Sequence, residues 1–231
     1  MKNALILCSG GLDSVTTAHY VKKKLGYRSQ KILFFDYGQR NLKGEEICSR
    51  RCALDLDAEF MKLKLENLKN ISTSLLNSNK KPKRLTRKDL KDTNDENKKW
   101  YVPFRNALFL TNALALAESL FIKDKKKHDI FVGFKCEGKE SYPDTTKEFV
   151  ELMNKLGEIG CNTRIKIIAP LIEKDKEDII LLGKKLDIDF SKTFSCYVGP
   201  TKHCGACLAC RLRKEGFYWA NVKDLTKYRR K

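Results

Sequence analysis

Long hydrophobic runs are missing from this chain. No apolar segment approaches the roughly 18 residues that a bilayer-spanning helix needs, although hydrophobic residues make up 42% of the 231. That excludes a helical membrane span. No N-terminal export signal is expected, since Met1-Lys2-Asn3 leads straight into a strand-like run and a glycine motif. The nine cysteines are therefore expected as reduced thiols or metal ligands rather than disulfides, and the protein as cytoplasmic. Two common phosphate loops are absent: no Lys-Ser/Thr pair closes a Walker-type loop, and G-x-G-x-x-G does not occur. No internal repeat is visible. Acidic residues are the scarce charge, 29 against 47 Lys and Arg, for a net +18.

Such a basic excess can mark a nucleic-acid partner, but its distribution points to a solvated surface. Lys80–Lys99 holds nine basic and four acidic residues, a net +5 that leaves +13 spread over the rest. Runs such as Lys22-Lys23-Lys24 and Lys125-Lys126-Lys127 read as exposed helix faces. Nucleic acid stays as the second reading.

What is present begins at Ser9-Gly10-Gly11-Leu12-Asp13-Ser14. The apolar run Ala4-Leu5-Ile6-Leu7 before it reads as a buried strand, and Val15-Thr16-Thr17-Ala18 after it as a helix. Glycines and serines at a strand-to-helix turn can bare backbone N–H groups at a helix N-terminus, a site for phosphate or pyrophosphate. Glycine serves there because a side chain would block close approach of the main chain.

Strand-like runs recur at Ala4–Cys8, Lys31–Phe35, Glu59–Leu65, Asp129–Gly133 and Ile165–Ala169. Helical stretches separate them near Ser14–Lys24, Lys43–Leu54, Asn106–Ser119, Thr146–Leu156 and Lys174–Leu186. The Asn106 helix, rich in Leu and Ala, is apolar almost all round and is expected to be buried. This alternation predicts an α/β fold: a mainly parallel five-stranded sheet with helices on both faces, its ligand beyond the carboxyl ends of the strands. Residues 1–190 are expected to form that α/β domain, in which 77–99 reads as a basic, mobile loop near the substrate entrance. Residues 191–231 form a small cysteine-rich segment on the same domain.

In that segment Cys196 precedes Cys204-Gly205-Ala206-Cys207-Leu208-Ala209-Cys210, a C-x7-C-x2-C-x2-C spacing. Two successive C-x2-C turns put three thiolates on one side of a loop that enters a helix, and Cys196 can complete a tetrahedron. Four sulfurs with no open position describe structural zinc. An iron–sulfur cluster is the rival, since sulfur ligands alone do not select the metal. His203 is a weak competitor for the site. The other cysteines, and His19 and His128, read as ordinary.

The Ser9–Ser14 string resembles the SGGxDS pyrophosphatase loop of the adenine-nucleotide alpha hydrolases, which implies ATP cleavage between the α and β phosphates. Further strings extend the likeness: Phe35-Asp36-Tyr37-Gly38-Gln39-Arg40, Tyr101-Val102-Pro103-Phe104-Arg105-Asn106, Tyr142-Pro143-Asp144, Ala169-Pro170-Leu171-Ile172 with Lys176, and Ser195-Cys196-Tyr197 with the cysteine cluster and Arg211-Leu212-Arg213. Together they resemble the 7-cyano-7-deazaguanine synthase family, nearly end to end. The resemblance implies an ATP-dependent carbon–nitrogen ligase on a queuosine- or archaeosine-type route, with ATP, magnesium and zinc as cofactors. 7-Carboxy-7-deazaguanine and ammonia would be its substrates and a homodimer its assembly. It also implies ATP contacts from Cys8, Ser9, Gly10, Gly11, Leu12, Asp13, Ser14, Val15, Asp36 and Gln39. Asp13, Lys176 and Arg105 are the candidate catalytic residues; Arg suits a planar two-oxygen partner and Lys a point charge.

For the N–H edge of the deazaguanine ring the candidates are Asp144, beside a stacking ring in Tyr142, and Glu137 behind it. The zinc ligands would be Cys196, Cys204, Cys207 and Cys210. No residue stands out as a general base. The chain departs from the family pattern at Thr145-Thr146 and in Lys135–Ser141, where it has Lys135 and Gly138, on the expected purine-binding wall. The alternative reading is a pyrophosphatase-loop tRNA-modifying enzyme, a thiolase or lysidine-type ligase. A metal-stapled RNA-binding module without ATP chemistry is a third, opposed by the intact Ser9–Ser14 string.

Overall fold

Strands β1 (Asn3–Leu7), β2 (Ser29–Asp36), β3 (Glu59–Lys64), β4 (His128–Val132) and β5 (Ile167–Ile168) form the frame of the computed structural model, which describes residues 2–135 and 142–229. They make one five-stranded sheet in the order β3-β2-β1-β4-β5, and every pairing is parallel. The expected α/β class and strand positions hold. β1 reads as an unbroken apolar run because helices cover both its faces. With a period of two, Leu5, Leu33 and Ile130 enter the core on one side, and Ala4, Ile6, Ile32 and Phe131 that on the other.

Helices α1 (Leu12–Lys23) and α2 (Leu42–Asp55) cover the second side through Val15, Ala18, Val21, Cys52 and Ala53. On the first side lie α5 (Arg105–Asp124) and α6 (Lys147–Gly160), with the cysteine cluster at the edge of the same core. Helices α7 (Lys176–Lys185) and α8 (Leu208–Trp219) share a third core with Leu12. The edge strand β5 is only two residues long, and Asn154 of α6 stands in for a further strand: its side chain accepts from Ile167 N at 2.8 Å and donates to Ile167 O at 2.8 Å.

Three expectations change. The α5 helix buries one face, not its whole circumference: Ala113 and Ala117 are fully covered while Ile122 is 60% exposed. Small residues let that face sit close to the sheet, and among the described residues the other face stays open, Ile122 included. Residues 77–97 also contain structure that no apolar period announced, a 3-10 turn at Lys88–Leu90 and the start of α4 (Asn94–Trp100). A short α3 (Glu66–Ile71) follows β3. The segment lies against the cysteine-rich loop: Leu85 is 3% exposed, its N–H donates to Ala206 O at 2.8 Å, and Arg211 Nε donates to Leu85 O at 2.6 Å. Among the described residues no helix is long and apolar enough to cross a membrane, and all eight described cysteines are free thiols.

Candidate active site

Strand order reverses beside β1, whose first partner is β2 and whose other neighbour is β4. A crevice opens beyond the carboxyl ends of strands at such a point. Here it is a cavity of about 350 Å³, lined by the loop after β1, by Gly133-Phe134-Lys135 after β4, and by residues from α5, α7 and α8. The loop takes its shape from Gly10, at φ 76°, where a Cβ would lie 2.5 Å from the Glu45 carbonyl oxygen. Gly11 caps α1 with no side chain bonded to the first turn, so that turn's N–H groups face the cavity as an anion site. Ser14 Oγ donates to Gly11 O at 3.2 Å and lies 3.4 Å from Ser9 Oγ.

Asp13 and Lys176, from helices 163 positions apart, meet over this loop. Lys176 Nζ donates to both carboxylate oxygens, at 2.7 and 2.6 Å. Lys135 lines the same end. Burial, with the Lys176 charge beside it, holds its ammonium down at about 7. A mobile polyanion brought to this end would meet two lysines and the α1 N-terminus.

Another part of the lining is aromatic. Tyr37, Phe109, Tyr142 and Tyr197 line it, with Phe35 stacked on Phe109 at 4.2 Å and Tyr101 on Tyr142 at 5.6 Å. Arg105, the first residue of α5, donates to Tyr37 Oη at 3.2 Å. Burial pushes the Tyr37 phenol up to about 12, keeping it a neutral hydroxyl. Glu45, in the first turn of α2, lines the cavity near this wall. Its two oxygens accept from Gln39 Nε2 at 3.1 Å and Asn41 Nδ2 at 3.0 Å. Burial raises its carboxyl from 4.5 to about 7, against the pull of Gln39, Arg105 and Asn41.

Cys8, Ser9, Gly11, Leu12, Asp13, Ser14, Lys176, Arg105 and Tyr142 all line one cavity. Others proposed for the site do not. Gly10 faces α2, and Val15 turns into the core. Asp36 pairs with Lys62 at 3.0 Å. Gln39 is 3% exposed and closes the β2–α2 connection by accepting from Tyr37 N and donating to Phe35 O. Asp144, 4% exposed, is turned to the start of α5, where its Oδ2 accepts from Asn106 N at 3.2 Å. Glu137 and Gly138 lie outside the described residues. Sequence reasoning passed over Glu45, Phe109 and Tyr197 as cavity residues. Glu45 stands in Lys43-Gly44-Glu45-Glu46, which has the composition of an exposed helix start.

The sulfurs of Cys196, Cys204, Cys207 and Cys210 lie within 4.8 Å of one another. Backbone N–H groups point at them: Val198, Gly199 and Cys204 at Cys196 Sγ, at 3.1–3.3 Å, and Ala206 and Cys207 at Cys204 Sγ, at 3.4 and 3.2 Å. Hydrogen bonds from Cys196, Cys207 and Cys210 hold the Cys204 thiol well below its usual range. Such a donor set fits a thiophilic metal. His203 is turned elsewhere, its Nε2 accepting from Ser195 N at 3.0 Å.

Residues 3–221 match the family model described as "Queuosine biosynthesis protein QueC". The chain belongs to the QueC family. Its relatives named 7-cyano-7-deazaguanine synthase include one from Methanoculleus marisnigri, 34% identical over 233 residues and covering 100% of both chains. Another, from Clostridium kluyveri, is 38% identical over 240 residues and covers 99% of each. Among solved structures, the U34-tRNA thiolase NcsA from Methanococcus maripaludis with its [4Fe-4S] cluster is similar at 14% identity and a TM-score of 0.46, covering 97% of this chain and 74% of that one. Within this QueC family member, the residues that depart from the expected pattern have definite places. Thr145 donates from Oγ1 to Tyr142 O at 2.9 Å, and Thr146 caps α6 by accepting from Phe149 N at 3.1 Å. Lys135 stands in the cavity beside Asp13 and Lys176.

Proposed function

We propose that the chain converts 7-carboxy-7-deazaguanine and ammonia to 7-cyano-7-deazaguanine at the expense of ATP, within 7-deazapurine biosynthesis. The observation that carries this reading is one cavity combining a bared helix N-terminus and the Asp13–Lys176 pair with an aromatic wall bearing Arg105. A carboxylate is a poor electrophile because oxide is its leaving group. Attack of its oxygen on the α phosphorus of ATP expels diphosphate and forms an acyl adenylate; ammonia then adds to the acyl carbon and AMP leaves, giving the amide. The amide oxygen attacks the α phosphorus of a second ATP, and loss of AMP with both N–H protons leaves the nitrile.

The residues suit these steps. Ser9, Gly11, Ser14 and the α1 N–H groups would hold the departing diphosphate, preorganised charge being the main source of acceleration in such transfers. Lys176 would exchange its partner from the Asp13 carboxylate to phosphate oxygens. Asp13 would then be the oxygen ligand for magnesium, which neutralises phosphate charge when bound. The four cysteines would hold zinc. A single ion with Zn–S distances near 2.3 Å sets its sulfurs about 3.8 Å apart, and a cluster whose sulfurs all lie within 4.8 Å suits one ion better than a multi-iron core. Zinc there would act structurally. An exposed apolar stripe of Leu152, Leu156 and Ile159 on α6 is the surface best suited to a homodimer, and the expected compartment is the cytoplasm.

The deciding assay combines ATP, ammonia and 7-carboxy-7-deazaguanine and looks for nitrile by mass spectrometry and for AMP. Two AMP per nitrile are expected, and Asp13→Ala should lower turnover at least about 100-fold. Absence of AMP release with that acid removes the reading.

A further inference from the structure

Glu45 stands at a chemically distinctive place that the sequence did not single out. Its carbonyl oxygen presses on Gly10 of the nucleotide loop, at 2.5 Å from where a Cβ would be. Its carboxylate reaches the aromatic wall, within the field of Arg105 and Tyr37. One hydrogen bond to each oxygen, from Gln39 and Asn41, fixes its orientation. A carboxylate has about four acceptor sites, so each oxygen keeps a lone pair for a ligand. Asn41 is itself anchored, its Nδ2 donating to Cys196 O at 2.9 Å. The carboxylate is therefore held from two sides, and Glu45 lines the cavity. Asp144, the other acid near this wall, turns its Oδ2 to the Asn106 N–H and does not line the cavity.

The ring of the proposed substrate carries two adjacent N–H donors, at N1 and the 2-amino group, followed by a carbonyl acceptor. A wall that complements this edge needs two acceptors beside a donor. Glu45 supplies the acceptors and the Arg105 guanidinium the donor, while Tyr37 and Phe109 offer flat apolar surface for the ring. We infer that Glu45 binds the N1 and 2-amino hydrogens of a guanine-like heterocycle, with Arg105 on the neighbouring carbonyl. This assignment rests on the functional reading above and names the element of the site that selects its purine. Adenine presents an acceptor where guanine has N1–H, so the same wall would leave the adenine of ATP to the rest of the cavity. Desolvated acceptors left unpaired are costly, which makes such an edge selective. Burial holds the Glu45 carboxyl up at about 7, in keeping with a carboxylate that gains by receiving donors.

The test is calorimetric binding of two probes to the intact protein: 7-carboxy-7-deazaguanine and the same acid lacking the 2-amino group. With the wild-type protein, loss of the 2-amino group should weaken binding about 10- to 100-fold. Glu45→Gln should weaken binding of the full acid by a similar factor and bind both probes alike, with ATP affinity unchanged. Glu45→Asp, which keeps the charge but draws it back by one methylene, should fall between and serves if the Gln variant does not fold. Wild-type and Glu45→Gln proteins binding the acid equally would overturn the assignment. So would losses from substitution and probe that simply multiply, or a fall in kcat with KM kept, since that marks a proton-transfer role. Failure of the wild-type protein to bind the acid at all would remove the functional reading and this assignment with it.

Discussion

Two carboxylates beside Arg105 illustrate how neighbours decide a residue's work. Asp144 satisfies a backbone N–H at the start of α5, so its removal is a loss of a cap. Asp144→Ala should lower stability by about 1–2 kcal/mol in chemical denaturation while purine affinity stays within about threefold; a selective loss of purine binding would show that its carboxylate reads the ring after all. Glu45 acts on stability through its proton. Its carboxyl is raised from 4.5 to about 7 by burial, with Gln39, Asn41 and Arg105 pulling the other way and Cys48 and Tyr37 close by. The folded state then binds more protons than the unfolded one between those values. Stability from this group is fully present below about 4.5 and is lost as pH rises through 7. Measured from pH 4 to 8, wild-type stability should fall relative to Glu45→Gln by up to about 3 kcal/mol. A constant difference would mean that Glu45 titrates normally. A carboxylate that lowers stability at neutral pH suits a binding role.

At the scale of elements, the strand-to-helix loop depends on α2 as much as on its own sequence. Gly10 combines φ 76° with carbonyl, amide and Cys48 Cβ atoms 2.5–2.8 Å from where its Cβ would be. Gly10→Ala should cost about 2–4 kcal/mol and weaken ATP binding at least about tenfold by displacing the α1 N-terminus; urea unfolding and nucleotide titration read the two effects. Unchanged nucleotide affinity would mean the loop can reshape without α2. The strands and main helices were legible because burial on both faces writes continuous apolar runs and α helices write a 3.6-residue period. α4 was not, because seven residues with Trp100 as the buried one carry no period. The loop residues Ser9–Ser14 and the four cysteines were legible through local spacing. Asp36 and Gln39 make structural contacts instead of lining the cavity, and a motif string does not tell which side chains face a ligand and which close the turn. Glu45 was invisible for a related reason: its neighbours in the chain read as an exposed helix start, and the charge it faces, Arg105, comes from a remote helix.

Over the whole molecule, the cysteine cluster ties together parts that are remote in sequence. Cys196 O accepts from Asn41, which also holds Glu45. Leu85 is bonded to Ala206 and Arg211 across the same loop. Arg213, 1% exposed, donates to Thr193 Oγ1, Ser195 Oγ and Phe190 O, and from Nε to Thr226 Oγ1. Ala209, Leu212 and Arg213 meanwhile line the cavity. The cysteine cluster thus braces the aromatic half, whereas the Ser9–Ser14 loop is built on β1, α1 and α2. Cys196→Ser should therefore lose the metal in elemental analysis and lower the melting temperature by about 10 °C or more. Cys161→Ser, outside the cluster, should change neither. Hydrogen exchange should rise first in α8 and residues 80–91 and least in β1 and β4. Affinity for the deazaguanine acid should fall more than affinity for ATP, because Asn41 would lose its anchor and Glu45 its orientation. Equal loss of both ligands would mean that the two halves unfold together, and the brace would then belong to the entire sheet.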